Sequence, residues 1–400
     1  MTEANPAAEG YIAQLSGQDL LISPEWDTFL AIGPPYLETE FQRQEVTARF
    51  HRNGYDWDIH GTLYTPAKEA IPGYSFVLIH GGGVNELDFQ VTPDGRPGLA
   101  GVLAAQGFRV LTPSYPGLWP PGGRWEKPVT QRKPFYLLDQ AISEEELEDR
   151  LLKATYQVYM QGITLLVDEH LAGQKLFVMG HSTGGPMAVS LAEQVTNAEV
   201  AGIVGWASGG PDGWLLRWRQ ETKPQGGPLA RKTGLSEITY RTVDEYRHSS
   251  EYEDIPELTP WGGLEERFEL TEDTTPTFNP ALQNTQHLGD PEVLDEYRKL
   301  TGLPPGEYFR HFDEPDPHFL QGIKVLLIDG ENDKLHWQIG KRVEDKQEYF
   351  ITRRYAEKTK GAHLVLLPKF THMGHWALHN ERIVYLWLWA VRSGYFGNLG

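Results

Sequence analysis

Hydrophobic residues in this chain come mostly as short unbroken runs: Tyr74–Ile79 (YSFVLI), Leu176–Met179 (LFVM), Val200–Ala207 (VAGIVGWA), Lys324–Gly330 (KVLLIDG) and His363–Pro368 (HLVLLP). Phe108–Pro113 (FRVLTP) reads the same way. Runs of this length, bounded by glycine and proline, predict strands buried on both faces. Between them lie stretches with helical spacing at Gly98–Gln106, Pro186–Glu193, Lys341–Lys358 and Trp376–Val391. Ser143 and Glu146 form a capping box that predicts a long helix with Leu147, Leu151, Ala154 and Val158 on its buried stripe. Glu45–Thr65 instead alternates apolar and polar positions on either side of Asn53-Gly54, which predicts a hairpin. Strands alternating with helices predict an α/β chain with a mostly parallel sheet.

The rhythm breaks between Asp212 and about Leu320, where proline, tryptophan and acidic residues replace strand-like runs. A stretch so long is not expected to be one bare loop, and it reads as a lid or cap insertion. The expected organisation is therefore an N-terminal extension packed on the core (1–44), a first core part (45–211), the insertion (212–320) and a second core part (321–400).

Composition narrows the partners. The chain has 36 Lys+Arg against 55 Asp+Glu, a net charge of -19. A negative surface field repels nucleic acid and anionic membranes and leaves neutral small molecules unaffected. There is no cysteine, which removes thiolate metal sites and a cysteine nucleophile. No apolar run approaches a membrane span, and MTEANPAAEG carries no basic and apolar leader pattern. The expectation is a soluble, cytoplasmic protein without a cofactor or metal, with a homodimer left open.

The chemistry centres on Lys175–Ala188 (KLFVMGHSTGGPMA), a strand, tight turn and helix with Ser182 at the apex of G-x-S-x-G. A serine hydroxyl needs a base, and the base needs an orienting acid. After the last strand, Thr371–Trp376 (THMGHW) offers His372 and His375, with His379 close behind; His375, preceded by glycine, is the expected base. Asp333, in the order strand-Gly-x-x-Asp, is the expected acid, with Glu331 in reserve. His80-Gly81-Gly82-Gly83 ends a strand where glycines let backbone N–H groups converge on an oxyanion; Gly82, Gly81 and the Thr183 N–H are the expected donors. Trp119, Trp125, Trp214, Trp218 and Trp261 fall in loops expected to overhang this edge, the first four being candidates for an aromatic substrate pocket.

With these residues in hand, the chain resembles an α/β-hydrolase. HGGG (His80–Gly83), GHSTGG (Gly180–Gly185), GENDK (Gly330–Lys334) and MGHWALHNE (Met373–Glu381) carry the resemblance, and the order Ser…Asp…His agrees with it. TPDGRPGLAGVLAAQGFRVLTPSYPG further resembles a bacterial esterase subgroup whose acid is a glutamate after the strand following the elbow; here that place reads Trp206-Ala207-Ser208, without a carboxylate. The resemblance implies a serine hydrolase acting on a neutral or hydrophobic ester or lactone through an acyl-enzyme. Amide or C–C bond hydrolysis, acyl transfer and a lyase reaction stay open with the same residues. A metal enzyme using His372, His375 and His379, or a silent ligand-binding hydrolase fold, are the competing classes.

Overall fold

The computed structural model describes residues 21–22, 39–81, 89–92, 96–114, 149, 153, 155–182, 184–208, 240–241, 275–276, 299, 302–304, 307, 322–330, 333, 362–367, 370–392 and 394–397. Phe41–Arg52 (β2) and Tyr55–Pro66 (β3) form the hairpin that the alternation predicts. Its turn places Asn53 at φ 54° and Gly54 at φ 84°, the left-handed pair that a two-residue hairpin loop requires. The continuous apolar runs become Tyr74–Ile79 (β4), Arg109–Pro113 (β5), Lys175–His181 (β6), Glu199–Trp206 (β7), Lys324–Gly330 (β10) and Ala362–Leu367 (β11). Tyr240–Arg241 (β8) and Thr275–Pro276 (β9) pair with each other in a separate two-stranded sheet.

Among the described residues, the main sheet runs β1-β11-β10-β7-β6-β4-β5-β3-β2, with Leu21–Ile22 (β1) adding a parallel edge strand beside β11. Every neighbouring pair from β1 to β5 is parallel, and β3 runs antiparallel to both β5 and β2. The carboxyl ends of β4, β6, β7, β10 and β11 therefore open on one edge. Loops leaving that edge are where open α/β sheets assemble their sites.

Among the described residues, four helices cover the two faces. Leu99–Ala105 (α1) and Glu381–Arg392 (α4) lie on one side, where Phe76, Phe177, Val204 and Leu326 meet Leu103, Ile383 and Trp387. Tyr156–His170 (α2) and Gly184–Gln194 (α3) cover the other, over Val77, Val178, Ile203 and Leu327. Successive strand residues thus enter opposite cores, which is why the strands read as unbroken apolar runs. Phe76 packs edge-on against Trp387 with ring centroids 4.1 Å apart, and each such fully buried side chain contributes about 1.5–3 kcal/mol.

Two boundaries differ from the sequence reading. The helix expected to open at Ser143 is capped afresh at Thr155, whose hydroxyl accepts from the Val158 N–H at 3.3 Å; Ser143 lies outside the described residues. The terminal helix starts at Glu381 rather than Trp376, because Gly374–Trp376 forms a separate 3-10 turn. Nearly all of the expected 212–320 insertion and all of the helix expected over 341–358 also lie outside the described residues.

Candidate active site

β6 delivers Ser182 to the open edge in a left-handed conformation, φ 49°. A non-glycine residue there is strained and persists only where its surroundings hold it. The hold is visible: the Ser182 N–H donates to Trp206 O at 3.0 Å, and the Gly185 N–H donates to Ser182 O at 3.1 Å. α3 begins only two residues later, so strand and helix nearly touch. A Cβ on Gly180 would lie 2.1 Å from Gly184 O, and one on Gly184 would lie 2.3 Å from Ile79 O. The glycines on either side of Ser182 are thus imposed by backbone contact, not only by the turn.

β4 brings Gly81 to the same point. A Cβ there would sit 2.9 Å from His181 Nδ1 and 3.3 Å from Ser182 Cβ, so a side chain is excluded and the backbone passes beside the serine. The other expected oxyanion donors, Gly82 and Thr183, lie outside the described residues, as do Trp119, Trp125, Trp214, Trp218 and Trp261.

Asp333 stands just past β10, fully buried, with its N–H on Gly330 O at 3.1 Å. Its Oδ2 is 2.7 Å from Nδ1 of His372, itself 3% exposed. A carboxylate oxygen accepts, so Nδ1–H of His372 donates and its Nε2 keeps the lone pair that a general base needs. The hydrogen bond to Asp333 expected of His375 is made by His372. His375 Nδ1 instead accepts the indole N–H of Trp206 at 2.9 Å, which leaves the proton of a neutral ring on Nε2. Leaving that buried indole N–H unpaired would cost about 1–3 kcal/mol. The two histidines are held as opposite tautomers.

His181, next to Ser182, ties these parts together. Its Nε2–H donates to the His372 carbonyl at 3.3 Å, and its ring lies 5.0 Å from that of His372 and 4.4 Å from that of His375. The sequence gives His181 and Trp206 no working role and places His372 second to His375. The signal for His372 was the equal nearness of two histidines to the end of β11, which spacing along an irregular turn does not resolve.

The model of the alpha/beta hydrolase family matches residues 76–384, from β4 into α4. The chain belongs to that family. A search of curated proteins finds no match. Among solved structures, this hydrolase is similar to a probable hydrolytic enzyme from Pseudomonas aeruginosa (17% identity, 89% of this chain and 98% of that one, TM-score 0.42). It is also similar to a haloalkane dehalogenase from Bradyrhizobium elkani (12%, 88% and 99%, 0.46) and a thermophilic esterase from Thermogutta terrifontis (13%, 87% and 97%, 0.39). Among the described residues of the hydrolase, no helix is long and apolar enough to cross a membrane. Nor does any group of three His, Asp or Glu side chains there have a geometry that could hold a metal ion.

Proposed function

We propose that this hydrolase cleaves a neutral or hydrophobic carboxylic ester or lactone through an acyl-enzyme on Ser182, with His372 as base and Asp333 as its orienting acid. The observation that carries the reading is the buried Asp333–His372 pair at the sheet edge where Ser182 emerges. Ser182 Oγ bonds to the acyl carbon while its proton passes to His372 Nε2. The resulting imidazolium is stabilised by Asp333 and then protonates the leaving alkoxide as the C–O bond breaks. Water, losing its proton to His372, releases the acid and restores the serine. Backbone N–H groups of Gly82 and Thr183, with Gly81 shaping the loop, hold the oxyanion; one such donor contributes about 3–4 kcal/mol to the transition state. The serine nucleophile sets this chemistry apart from dehalogenation, which uses an aspartate at that place.

A fluorophosphonate probe tests the enzyme class, and p-nitrophenyl esters of graded length beside a lactone and an anilide test the bond. Labelling of the native protein that disappears in Ser182→Ala, with ester turnover lost in parallel, is the expected result. Labelling that survives Ser182→Ala would end the proposal.

A further inference from the structure

His375 is a fully buried titratable group that the proposed reaction leaves without a task, yet it is tied down from two sides in the turn that carries His372. From the sheet side, Trp206 at the end of β7 donates its indole N–H to His375 Nδ1 at 2.9 Å. The indole also lies directly under the turn: a Cβ on Gly374 would come 3.0 Å from Trp206 Cζ2. From the opposite side, the buried Asn380 donates its Nδ2 to His375 O at 3.1 Å and to Pro97 O at 3.2 Å. Arg96 completes that side, donating Nη2 to Trp376 O at 2.9 Å and Nη1 to Asn380 Oδ1 at 3.4 Å. His372 itself sits three residues upstream, within the same chain of tight turns: Gly374 N–H to Thr371 O at 3.0 Å and Trp376 N–H to Met373 O at 2.9 Å.

Trp206 is also the residue whose carbonyl accepts the Ser182 N–H. One residue therefore contacts the strained nucleophile through its backbone and the base-bearing turn through its ring. We propose that His375 is a positioning residue, which indexes the His372 turn to the end of β7 through its Nδ1 acceptor and so sets the base against Ser182. This rests on the reading of His372 as the base. It assigns His375 no proton transfer, because its Nδ1 lone pair is occupied by Trp206 and its Nε2 is protonated in the neutral ring. An acceptor at the Nδ1 position is what the role needs, and an asparagine supplies one there through Oδ1 whereas glutamine reaches past it.

The test compares His375→Asn, His375→Gln and Trp206→Phe with His372→Asn, using p-nitrophenyl butyrate turnover and fluorophosphonate labelling rates. Proton NMR of the free enzyme follows the low-field Nδ1–H resonance of the His372–Asp333 bond, a readout that needs no substrate. His375→Asn is expected to stay within about threefold of the wild-type kcat, while His375→Gln and Trp206→Phe lose roughly 10- to 100-fold in kcat with KM little changed, as displacement of a catalytic group by about 1 Å does. Those two variants should also shift or broaden the low-field resonance, and combining them should add little further loss. Two results overturn the inference: His375→Asn as inactive as His372→Asn, which would make His375 the proton carrier, or His375→Gln equal to wild type in rate and resonance. Hydrolysis that persists in Ser182→Ala would instead strike at the serine reading, so the two failures are told apart.

Discussion

A carboxylate can only accept, and an indole N–H can only donate; these two facts separate His372 from His375. Asp333 fixes the proton of His372 on Nδ1, whereas Trp206 fixes that of neutral His375 on the far nitrogen. Asp333→Asn is the sharpest probe of the first bond, because an amide can present N–H to Nδ1 and turn the imidazole to the tautomer that has no lone pair for Ser182. Turnover should fall about 10⁴-fold, the effect known for that change in a Ser-His-Asp triad, while the urea unfolding midpoint moves little. His372→Asn should match it within about tenfold, since residues acting as one unit do not lose activity additively. A variant of either residue with near wild-type kcat would remove it from the machinery. The places of Ser182 and Asp333 were legible in the sequence because each follows a continuous apolar run within a few residues and so sits past a strand's carboxyl end. Which histidine meets Asp333 was not, since the choice between His372 and His375 depends on which side-chain donors and acceptors β7 and β10 bring to the turn.

At the scale of elements, the apolar runs reveal strands reliably here because a strand buried on both faces leaves no other pattern. What they do not reveal is contact between distant segments, and the β2–β3 hairpin gives an instance. Arg52, at the end of β2, forms a bidentate pair with Glu307, from the stretch read as the insertion: Nε donates to Oε2 at 2.9 Å and Nη2 to Oε1. Arg52 also donates to Gln161 of α2 at 2.8 Å, and the Thr155 hydroxyl donates to Glu307 Oε2 at 3.3 Å. Burial pushes the Glu307 carboxyl up, but the Arg52 hydrogen bonds and charge, with those of Asn53 and Thr155, outweigh it and hold it below its ordinary 4.5. A carboxyl depressed in the folded state adds stability that is complete above the unfolded value and lost as pH falls through the folded one. Arg52→Gln should therefore lower unfolding stability by about 1.5–3 kcal/mol at pH 7, the range for hydrogen bonds to a charged group. Urea midpoints of wild type and variant should converge as pH drops below about 4.5, the ordinary value. A gap that stays constant down to pH 3 would show that the pair contributes through packing alone.

For the whole molecule, the parallel order of β4, β6, β7, β10 and β11 matters because it gathers five loops from far-apart parts of the chain at one edge. That edge belongs to a protein of 36 basic and 55 acidic side chains, net -19. A field of this sign raises the approach barrier for anions and leaves neutral molecules alone, and salt relieves it as the Debye length shrinks from about 30 Å at 0.01 M to about 3 Å at 1 M. The proposed preference for a neutral ester therefore has a component that lies in no pocket residue. Two esters of the same length and leaving group, one with a neutral and one with a carboxylate-terminated acyl chain, separate this long-range term from local contacts. Between 10 mM and 0.5 M sodium chloride, kcat/KM for the anionic ester should rise several-fold, largely through its encounter rate, while the neutral ester changes by less than about twofold. If both respond alike, the selectivity comes from the residues around Ser182 and the net charge serves solubility instead.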